Sequence, residues 1–287
     1  MRSAHHRAGV KKRCASAPYK LATGNFFLQR HPVASGRKAL TNFRAVLGKE
    51  LRSYFFSPLI YLVAAVFLLL SGYYFYTDLI FYVQFGFGMN IMANFWQLFF
   101  TDLRLVMLLT VPFLTMRLFA EEKRLGTIEL LLTYPMRDSE LFWGKFAACS
   151  IATVFMLSLT LVYPILMYWL QPFDWTLMIA GYTGLVLIAL SFIACGLFIS
   201  SLTDNLVVAG LAALGVLLFF WILSWNEGAT TEGVLRILAQ VSMVTHFQGF
   251  AQGFIDSKEV TFFLVFVLFF GFLTLRSLES RQWRGRR

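Results

Sequence analysis

Four consecutive charged residues, Glu121-Glu122-Lys123-Arg124, stand between two strongly apolar stretches of this sequence. Adjacent carboxylates and cations can form ion pairs, dock a charged partner or exchange protons. A helix that faces lipid cannot carry four charges in succession. This charged run is therefore predicted to face water and to meet a partner outside the membrane.

The residues after the charged run predict a short helix bounded by two turns. Gly126-Thr127 interrupts the run, residues 128–132 present one apolar face, and Pro135 disfavours helix at the residue before it. The next helix is expected to begin near Asp138. A short helix held between two rigid arms can receive a sideways push and convert it into a tilt of the helices on either side.

The composition places these elements in a membrane protein. Of 287 residues, 58% are hydrophobic and only 14% are charged, and the mean hydropathy is +0.67, which is more apolar than a soluble domain needs. About 20 apolar residues span a hydrocarbon core of about 30 Å. Apolar runs of this size occur at about 59–77, 98–118, 146–170, 178–200, 206–225 and 260–278. We expect an all-α integral membrane protein with six transmembrane helices, an amphipathic interfacial helix and a cytoplasmic coupling helix.

The positive charges predict the orientation of these helices. Twelve of the 25 Lys and Arg residues precede the first span, five lie in 117–145, and five lie at or after the end of the last span. By the positive-inside rule, both termini and the charged run are cytoplasmic. Asp102 and Arg104 are then expected at the outer boundary. Nucleic-acid binding is disfavoured, because lipid headgroups already account for the net charge of +10.

The N-terminal region divides into two parts. Residues 1–40 form a basic tail without Asp or Glu and are expected to be disordered; an organellar transit peptide or a misassigned start codon are alternatives. Residues 41–57 place apolar side chains at helical spacing opposite Arg44, Lys49 and Arg52, which predicts a helix in the headgroup layer. A cytoplasmic extension of the first span is the alternative. Residues 58–280 form the membrane domain, and residues 281–287 form a second basic tail.

Other reactive side chains do not suggest an enzyme. The three cysteines lack the spacing of a metal site, and an integral membrane enzyme would need paired carboxylates or a histidine cluster at one depth. His246 is a single histidine and is expected to be a polar surface or capping residue. Asp204 is expected to cap the fifth span. Residues 232–255 hint at an amphipathic or re-entrant helix that closes the outer exit.

The order E-E-K-R-x-G-T-I-E-x-L-L-x-x-P, followed by G-K at the start of a span, resembles the first cytoplasmic loop of ABC-2 type permeases, the membrane subunits of ABC exporters. The amphipathic helix, the six spans and the external segment before the last span extend the resemblance over about residues 41–280. They are similar to the branch that includes the gliding-motility permease and the permease for nitrous-oxide reductase maturation.

The resemblance implies an exporter permease in the bacterial inner membrane that binds no cofactor itself. A nucleotide-binding ATPase subunit would supply ATP and Mg²⁺, and this agrees with the lack of a G-x-x-x-x-G-K-[ST] phosphate loop in the chain. A homodimer or a heterodimer with a related permease is expected, with an auxiliary periplasmic or membrane subunit as a further partner. The alternative is a scaffold subunit without a transport pathway.

The resemblance also assigns a coupling role to nine residues, none of them catalytic. These residues are Glu121, Glu122, Gly126, Thr127, Glu129, Leu131 and Pro135 in the coupling element, and Gly144 and Lys145 where the chain returns to the membrane. The alternative is that the charges only keep a loop solvated.

Overall fold

The computed structural model describes residues 36–85, 91–126, 138–170, 174–223 and 242–284, and its regular elements within these ranges are all α-helices. The helices are α1 (Gly36–Phe55), α2 (Pro58–Phe85), α3 (Ile91–Thr115), α4 (Arg117–Arg124), α5 (Asp138–Leu159), α6 (Val162–Leu170), α7 (Trp175–Leu202), α8 (Leu206–Ile222), α9 (Met243–Ala251) and α10 (Ser257–Arg284). Of the tail predicted at residues 1–40, residues 1–35 lie outside these ranges and residues 36–40 form the start of α1. The predicted short helix at 128–132 also lies outside these ranges.

Within the described residues, five helical stretches are long and apolar enough to cross a membrane. They are Pro58–Gln84, Asn94–Arg124, Asp138–Trp169, Trp175–Leu202 and Ser257–Ser280. At the fifth predicted position, 206–225, α8 is apolar but has only 17 residues, which extend about 26 Å. The all-α prediction is confirmed, with five long spans and one shorter apolar helix.

The helix α7 forms the centre of the bundle and packs against α3, α4, α5, α8, α9 and α10. Inside the bundle, 72% of the α7 span is buried, compared with 22% of the α2 span. Small residues permit this central position: a Cβ atom at Gly181, Gly184 or Gly196 would lie between 2.2 and 2.5 Å from an atom of a neighbouring helix. Close packing thus explains the small residues of this span.

The contacts define two ends of the bundle. At one end, which we call the α4 end, α4 meets α1, α5 and the turn between α7 and α8. Ser277 near the end of α10 also lies there, with its Oγ atom 3.0 Å from that of Ser201. At the other end, which we call the far end, Arg104 of α3 contacts Trp221 of α8 and Val244 of α9. The helix α1 and the end of α10 therefore lie at the same end.

Two predicted boundaries are wrong. The first span was expected to end near residue 77, yet α2 continues to Phe85, and Asp78 is buried inside the bundle. The second was expected to end at 118, yet the chain stays helical through Arg124 after a break at Met116. In both cases polar residues continue a helix because neighbouring helices shield them from lipid.

Candidate functional site

The charged run forms the last turn of α4, and its side chains reach different parts of the fold. Glu121 accepts hydrogen bonds from Arg117 one helical turn earlier, with Nε to Oε2 at 2.9 Å. Arg117 in turn donates from Nη1 to the Ser57 hydroxyl at 2.8 Å. Ser57 also accepts a hydrogen bond from the Leu59 amide, as expected of the residue that caps α2. Glu121 is thus connected through Arg117 to the start of the first span.

Glu122 belongs to a buried group of charges that we call the Lys145 cluster, made of Lys49, Glu50, Glu122 and Lys145. The Nζ atom of Lys145 lies 2.9 Å from Glu50 Oε1 and 3.0 Å from Glu122 Oε1. Lys49 Nζ lies 3.1 Å from Glu122 Oε1. Two cations and two carboxylates from α1, α4 and α5 therefore balance one another.

Lys145 is the centre of this cluster and is almost completely removed from solvent. Its side chain is only 1% exposed, whereas that of Lys49 is 60% exposed. The Lys145 ammonium also donates to the Leu118 carbonyl at 2.7 Å and lies 5.2 Å from the centre of the Phe119 ring. A buried cation with several hydrogen-bonded partners holds its position firmly, because removing one partner leaves an uncompensated charge.

Lys123 turns to the opposite side of α4 and is also buried. Its ammonium donates to the Ser201 carbonyl and lies 3.8 Å from Asp204 Oδ1, in the turn between α7 and α8. The prediction that Asp204 caps the fifth span is wrong, since Asn205 caps α8 by accepting hydrogen bonds from two amides of its first turn. Of the four consecutive charges, Arg124 alone is exposed.

Gly144 allows α1 to approach α5 closely beside the Lys145 cluster. A Cβ atom at Gly144 would lie 2.6 Å from Val46 Cγ1 and 3.0 Å from Val46 Cβ. Val46, Glu50 and Tyr54 form the buried stripe of α1, at intervals of one helical turn. The apolar side of α1 thus packs on protein, whereas the sequence predicted a helix that rests in the headgroup layer.

Ser200 of α7 occupies the break between α3 and α4. Its hydroxyl accepts hydrogen bonds from the amides of Phe119 and Ala120, both at 3.1 Å, and donates to the Met116 carbonyl at 3.1 Å. A side chain inserted into the helical hydrogen-bond ladder accounts for the break between α3 and α4. Pro112, which cannot donate a backbone hydrogen bond, precedes the break.

Tyr54 connects α1 to α3 just below this break. Its hydroxyl donates to the Leu114 carbonyl at 2.9 Å, and the ring is buried. Burial raises the pKa of Tyr54 well above its ordinary value, and the nearby Cys149 and Glu50 raise it further. Tyr54 therefore keeps its proton and its hydrogen bond throughout the neutral range.

The structure describes five of the nine predicted coupling residues. Glu121, Glu122, Gly144 and Lys145 lie around α4 and α5, and Gly126 ends α4 with a φ of 68°. Positive φ is accessible to glycine at little cost, and the Gly126 amide donates to the Lys123 carbonyl at 3.0 Å. The other four, Thr127, Glu129, Leu131 and Pro135, lie outside the described residues, and the coupling role of all nine stays a prediction.

The direction of the side chains differs from the sequence prediction. The charged run was expected to face an aqueous partner, but Glu122 and Lys123 point inward and pair with other helices. Sequence reasoning also missed Glu50 and Ser200. The sequence contained one indication of the role of Glu50. This carboxylate lies on the apolar stripe of α1, between Val46 and Tyr54, and such a position indicates a buried cation as its partner.

At the far end, α9 places its aromatic side chains inside the bundle. Phe247 and Phe250 are completely buried. His246 is paired through Nδ1 with Glu259 Oε2 and stacks on Phe262 at 3.8 Å between ring centres. Within the described ranges, no group of three or more His, Cys, Asp or Glu side chains is arranged to hold a metal ion.

The geometry is that of a charged helical turn whose side chains hold surrounding helices together. Comparison with known proteins agrees with the expected type of protein: residues 44–244 match the family described as ABC-2 family transporter protein. The match covers α2 to α8 in full and well over half of the chain. No curated protein matches the chain.

Proposed function

Because the chain belongs to the ABC-2 family of transporter proteins, we propose that it is the permease subunit of an ABC exporter, driven by ATP hydrolysis on a separate subunit. The chain is a multi-pass membrane protein of a family of transport subunits that generally have no ATPase site of their own. The observation that carries the proposal is the arrangement around α4, where charged side chains connect this short helix to α1, to Ser57 at the start of α2, to α5 and to the turn between α7 and α8.

This arrangement suits the transmission of a mechanical push. Glu122 connects α4 to α1 and α5, while Lys123 connects the same turn to α7. Breaking a buried ion pair of this kind costs about 3–5 kcal/mol. A displacement of α4 therefore moves these helices as one body, because sliding past them would separate buried charges.

The ATPase subunit is proposed to dock at the α4 end. Arg124, Leu125 and Gly126 are exposed there, and 63% of Leu125 is accessible. An exposed leucine beside an arginine suits a protein contact, because the buried core of an interface is more apolar than the surface and Arg is enriched in interfaces. ATP and Mg²⁺ would bind to the partner, and the residues after Gly126 would extend the docking surface.

The orientation and assembly follow the family resemblance. Positive residues are concentrated in α1 and at the end of α10, both at the α4 end, so this end is proposed to face the cytoplasm of a bacterial inner membrane. The permease is proposed to act as a homodimer or as a heterodimer with a related permease, together with an auxiliary subunit. Membership of the gliding-motility and nitrous-oxide reductase maturation branch is part of the same proposal.

Purification of the tagged full chain from its native membrane in mild detergent with Mg-ATP tests the proposal. We expect a protein with a phosphate loop to copurify, and the preparation to hydrolyse ATP. The chain purified alone is the control and should show no hydrolysis. Repeated recovery without any ATPase would contradict the proposal and favour a scaffold subunit.

A further inference from the structure

Two carboxyl groups meet between α2 and α3, toward the far end of the bundle. Only 7% of Asp78 is exposed, and its side chain is hydrogen-bonded to that of Asp102, which is partly buried. An ionised carboxylate only accepts hydrogen bonds, so two carboxyl groups can bond to each other only if one of them carries a proton. This contact between the two helices therefore requires a proton.

Aromatic rings enclose the two carboxyl groups. Phe75 and Tyr82 flank Asp78 on one face of α2, each about one helical turn away. The ring centre of Phe75 lies 5.7 Å from that of Phe99 on α3, and the ring centre of Tyr82 lies 5.9 Å from that of Phe95. The rings bring the helices together at this point and replace water by apolar surroundings, in which two adjacent negative charges would repel each other strongly.

The charges near the pair balance only if one proton is retained. Arg104 is 3% exposed and interacts electrostatically with Asp102. Two carboxylates and one guanidinium would leave a net negative charge inside the bundle, whereas one retained proton makes the group neutral. No N–H or hydroxyl group of the described residues donates to the buried Oδ2 atom of Asp78, which suits a neutral acid better than a carboxylate.

Among the described residues, the other helices around α2 and α3 leave this balance unchanged. The helices α6, α7 and α8 contain no Asp, Glu, Lys, Arg or His. The charged side chains of α1, α4 and α5 belong to the α4 end. On α9, His246 is paired with Glu259 of α10, and Lys258 of α10 is exposed. The state of the pair thus depends on its own proton and on Arg104.

We propose that Asp78 and Asp102 retain one proton at neutral pH and that this proton holds the far end of α2 against α3. The α2 span is only 22% buried inside the bundle, so it has few other contacts that could replace this one. When the proton leaves to water at higher pH, two carboxylates that repel each other remain, and the end of α2 separates from α3. The α2–α3 contact is thereby sensitive to pH. This inference does not depend on the transport function proposed above.

Infrared spectroscopy of the purified full chain in detergent at neutral pH detects the proton directly, since a protonated carboxyl group absorbs separately from a carboxylate. We expect a band of a protonated aspartate, identified by isotopic labelling of the aspartate carboxyl carbons, that loses intensity in Asp78→Asn. Asp174→Asn is the matched control and should leave the band unchanged, because Asp174 is exposed and caps α7 through the Thr176 amide at 2.9 Å. The lack of a protonated aspartate in the wild-type chain would overturn the proposal.

Thermal unfolding at several pH values tests the consequence for stability. The folded pair keeps a proton that an unfolded aspartate releases near pH 4, so above about pH 4 stability decreases as the pH rises, until the folded pair also releases its proton. For one proton, the equilibrium constant of unfolding increases by up to about tenfold per pH unit. Asp78→Asn keeps a donor for Asp102 but cannot titrate, so its stability should depend on pH less steeply than that of the wild-type chain. Equal dependence in the two proteins would contradict the proposal.

Hydrogen exchange shows where the effect occurs. As the pH rises, the peptide of residues 76–85 should lose protection in the wild-type chain, after correction for the intrinsic exchange rate, while Asp78→Asn should keep it. The peptide of residues 150–158 in α5 is the internal control. Loss at both segments, or at neither, would show that the proton does not hold α2 against α3. If Asp78→Asn fails to fold, the wild-type spectrum and the wild-type exchange decide the outcome.

Discussion

The ammonium of Lys145 lies 3.0 Å from the carboxylate of Glu122, and both side chains are turned into the bundle. The two residues lie on either side of the segment that contains the predicted coupling residues Gly126, Thr127, Glu129, Leu131 and Pro135. Lys145 also lies 2.9 Å from Glu50 of α1. The helices on the two sides of this segment, α4 and α5, are therefore fixed to each other and to α1. The segment is therefore attached to a rigid base.

Replacement of Lys145 by Met should destabilise the protein strongly. Without this cation, Glu50 and Glu122 lose the buried partner that they share, while the nearby Lys49 is exposed, so we expect a loss of about 3–5 kcal/mol in the free energy of unfolding. Thermal unfolding of the detergent-solubilised protein measures the change. Lys49→Met is the matched control and should cost about 1 kcal/mol or less, as for an exposed pair. Equal effects of the two substitutions would show that Lys145 is not the centre of the cluster.

Gly144→Ala should separate α1 from α5. The added methyl group would lie 2.6 Å from Val46 Cγ1, and overpacking of this kind costs about 1–3 kcal/mol. The double variant Gly144→Ala/Val46→Ala should regain part of the lost stability, because it removes the clashing atom. Gly215→Ala serves as the control, since no atom lies within 4 Å of a Cβ built there. If the second substitution gives no recovery, the close approach of the two helices is not what Gly144 provides.

Ser200→Ala should loosen the junction between α3 and α4. The amides of Phe119 and Ala120 would lose their acceptor in a buried site, which costs about 1–3 kcal/mol. Hydrogen exchange of the peptide that contains these two amides should accelerate. In the control Ser158→Ala, the lost hydroxyl bonds only the Phe155 carbonyl of its own helix, and exchange at α4 should not change. Unaltered exchange in Ser200→Ala would contradict the role given to Ser200.

Stability should fall at alkaline pH in a way that depends on Tyr54. Burial raises the pKa of Tyr54 in the folded protein, whereas the pKa of an unfolded tyrosine is about 10. Above about pH 10 the unfolded chain loses this proton first, so the free energy of unfolding decreases as the pH rises. Below that pH both states are protonated and Tyr54 adds no pH dependence.

Comparison of the wild-type protein with Tyr54→Phe isolates this contribution. The variant should be less stable at neutral pH, because it lacks the hydrogen bond to the Leu114 carbonyl, but its stability should decrease less steeply above about pH 10. Thermal unfolding midpoints between pH 8 and pH 11 provide the measurement. Parallel curves for the two proteins over this range would show that Tyr54 is not held in its protonated form.

The fold class was predictable because apolar runs of membrane length leave few alternatives to helices. The positions of the spans were also predictable, whereas the ends of the first two spans were not. The first continues through Asp78 and the second, in its α4 part, through Glu122, and other helices cover both charges. Which charges are covered depends on contacts between elements distant in sequence, and a single sequence does not display them.

The arrangement of the candidate site also depends on contacts between elements that are distant in sequence. The pattern around Gly144 and Lys145 indicated where the chain returns to the membrane, but the reason for these residue types lies in α1. Gly144 is small because Val46 approaches it, and Lys145 is charged because Glu50 lies 2.9 Å away. Glu50 carried a local sign, a carboxylate on an apolar stripe; Ser200 carried none, since its role depends on a break in another helix.

The most direct test of the central claim, that a separate ATPase acts on this chain through the α4 end, is photocrosslinking in native membranes. A photoreactive amino acid replaces Leu125 at the end of α4 or, as the control, Phe254 beside α9, two apolar residues of similar exposure at opposite ends of the bundle. We predict that a protein with a phosphate loop is captured from position 125 and not from position 254. Capture from position 254 alone, or of no such protein from position 125, would contradict the account.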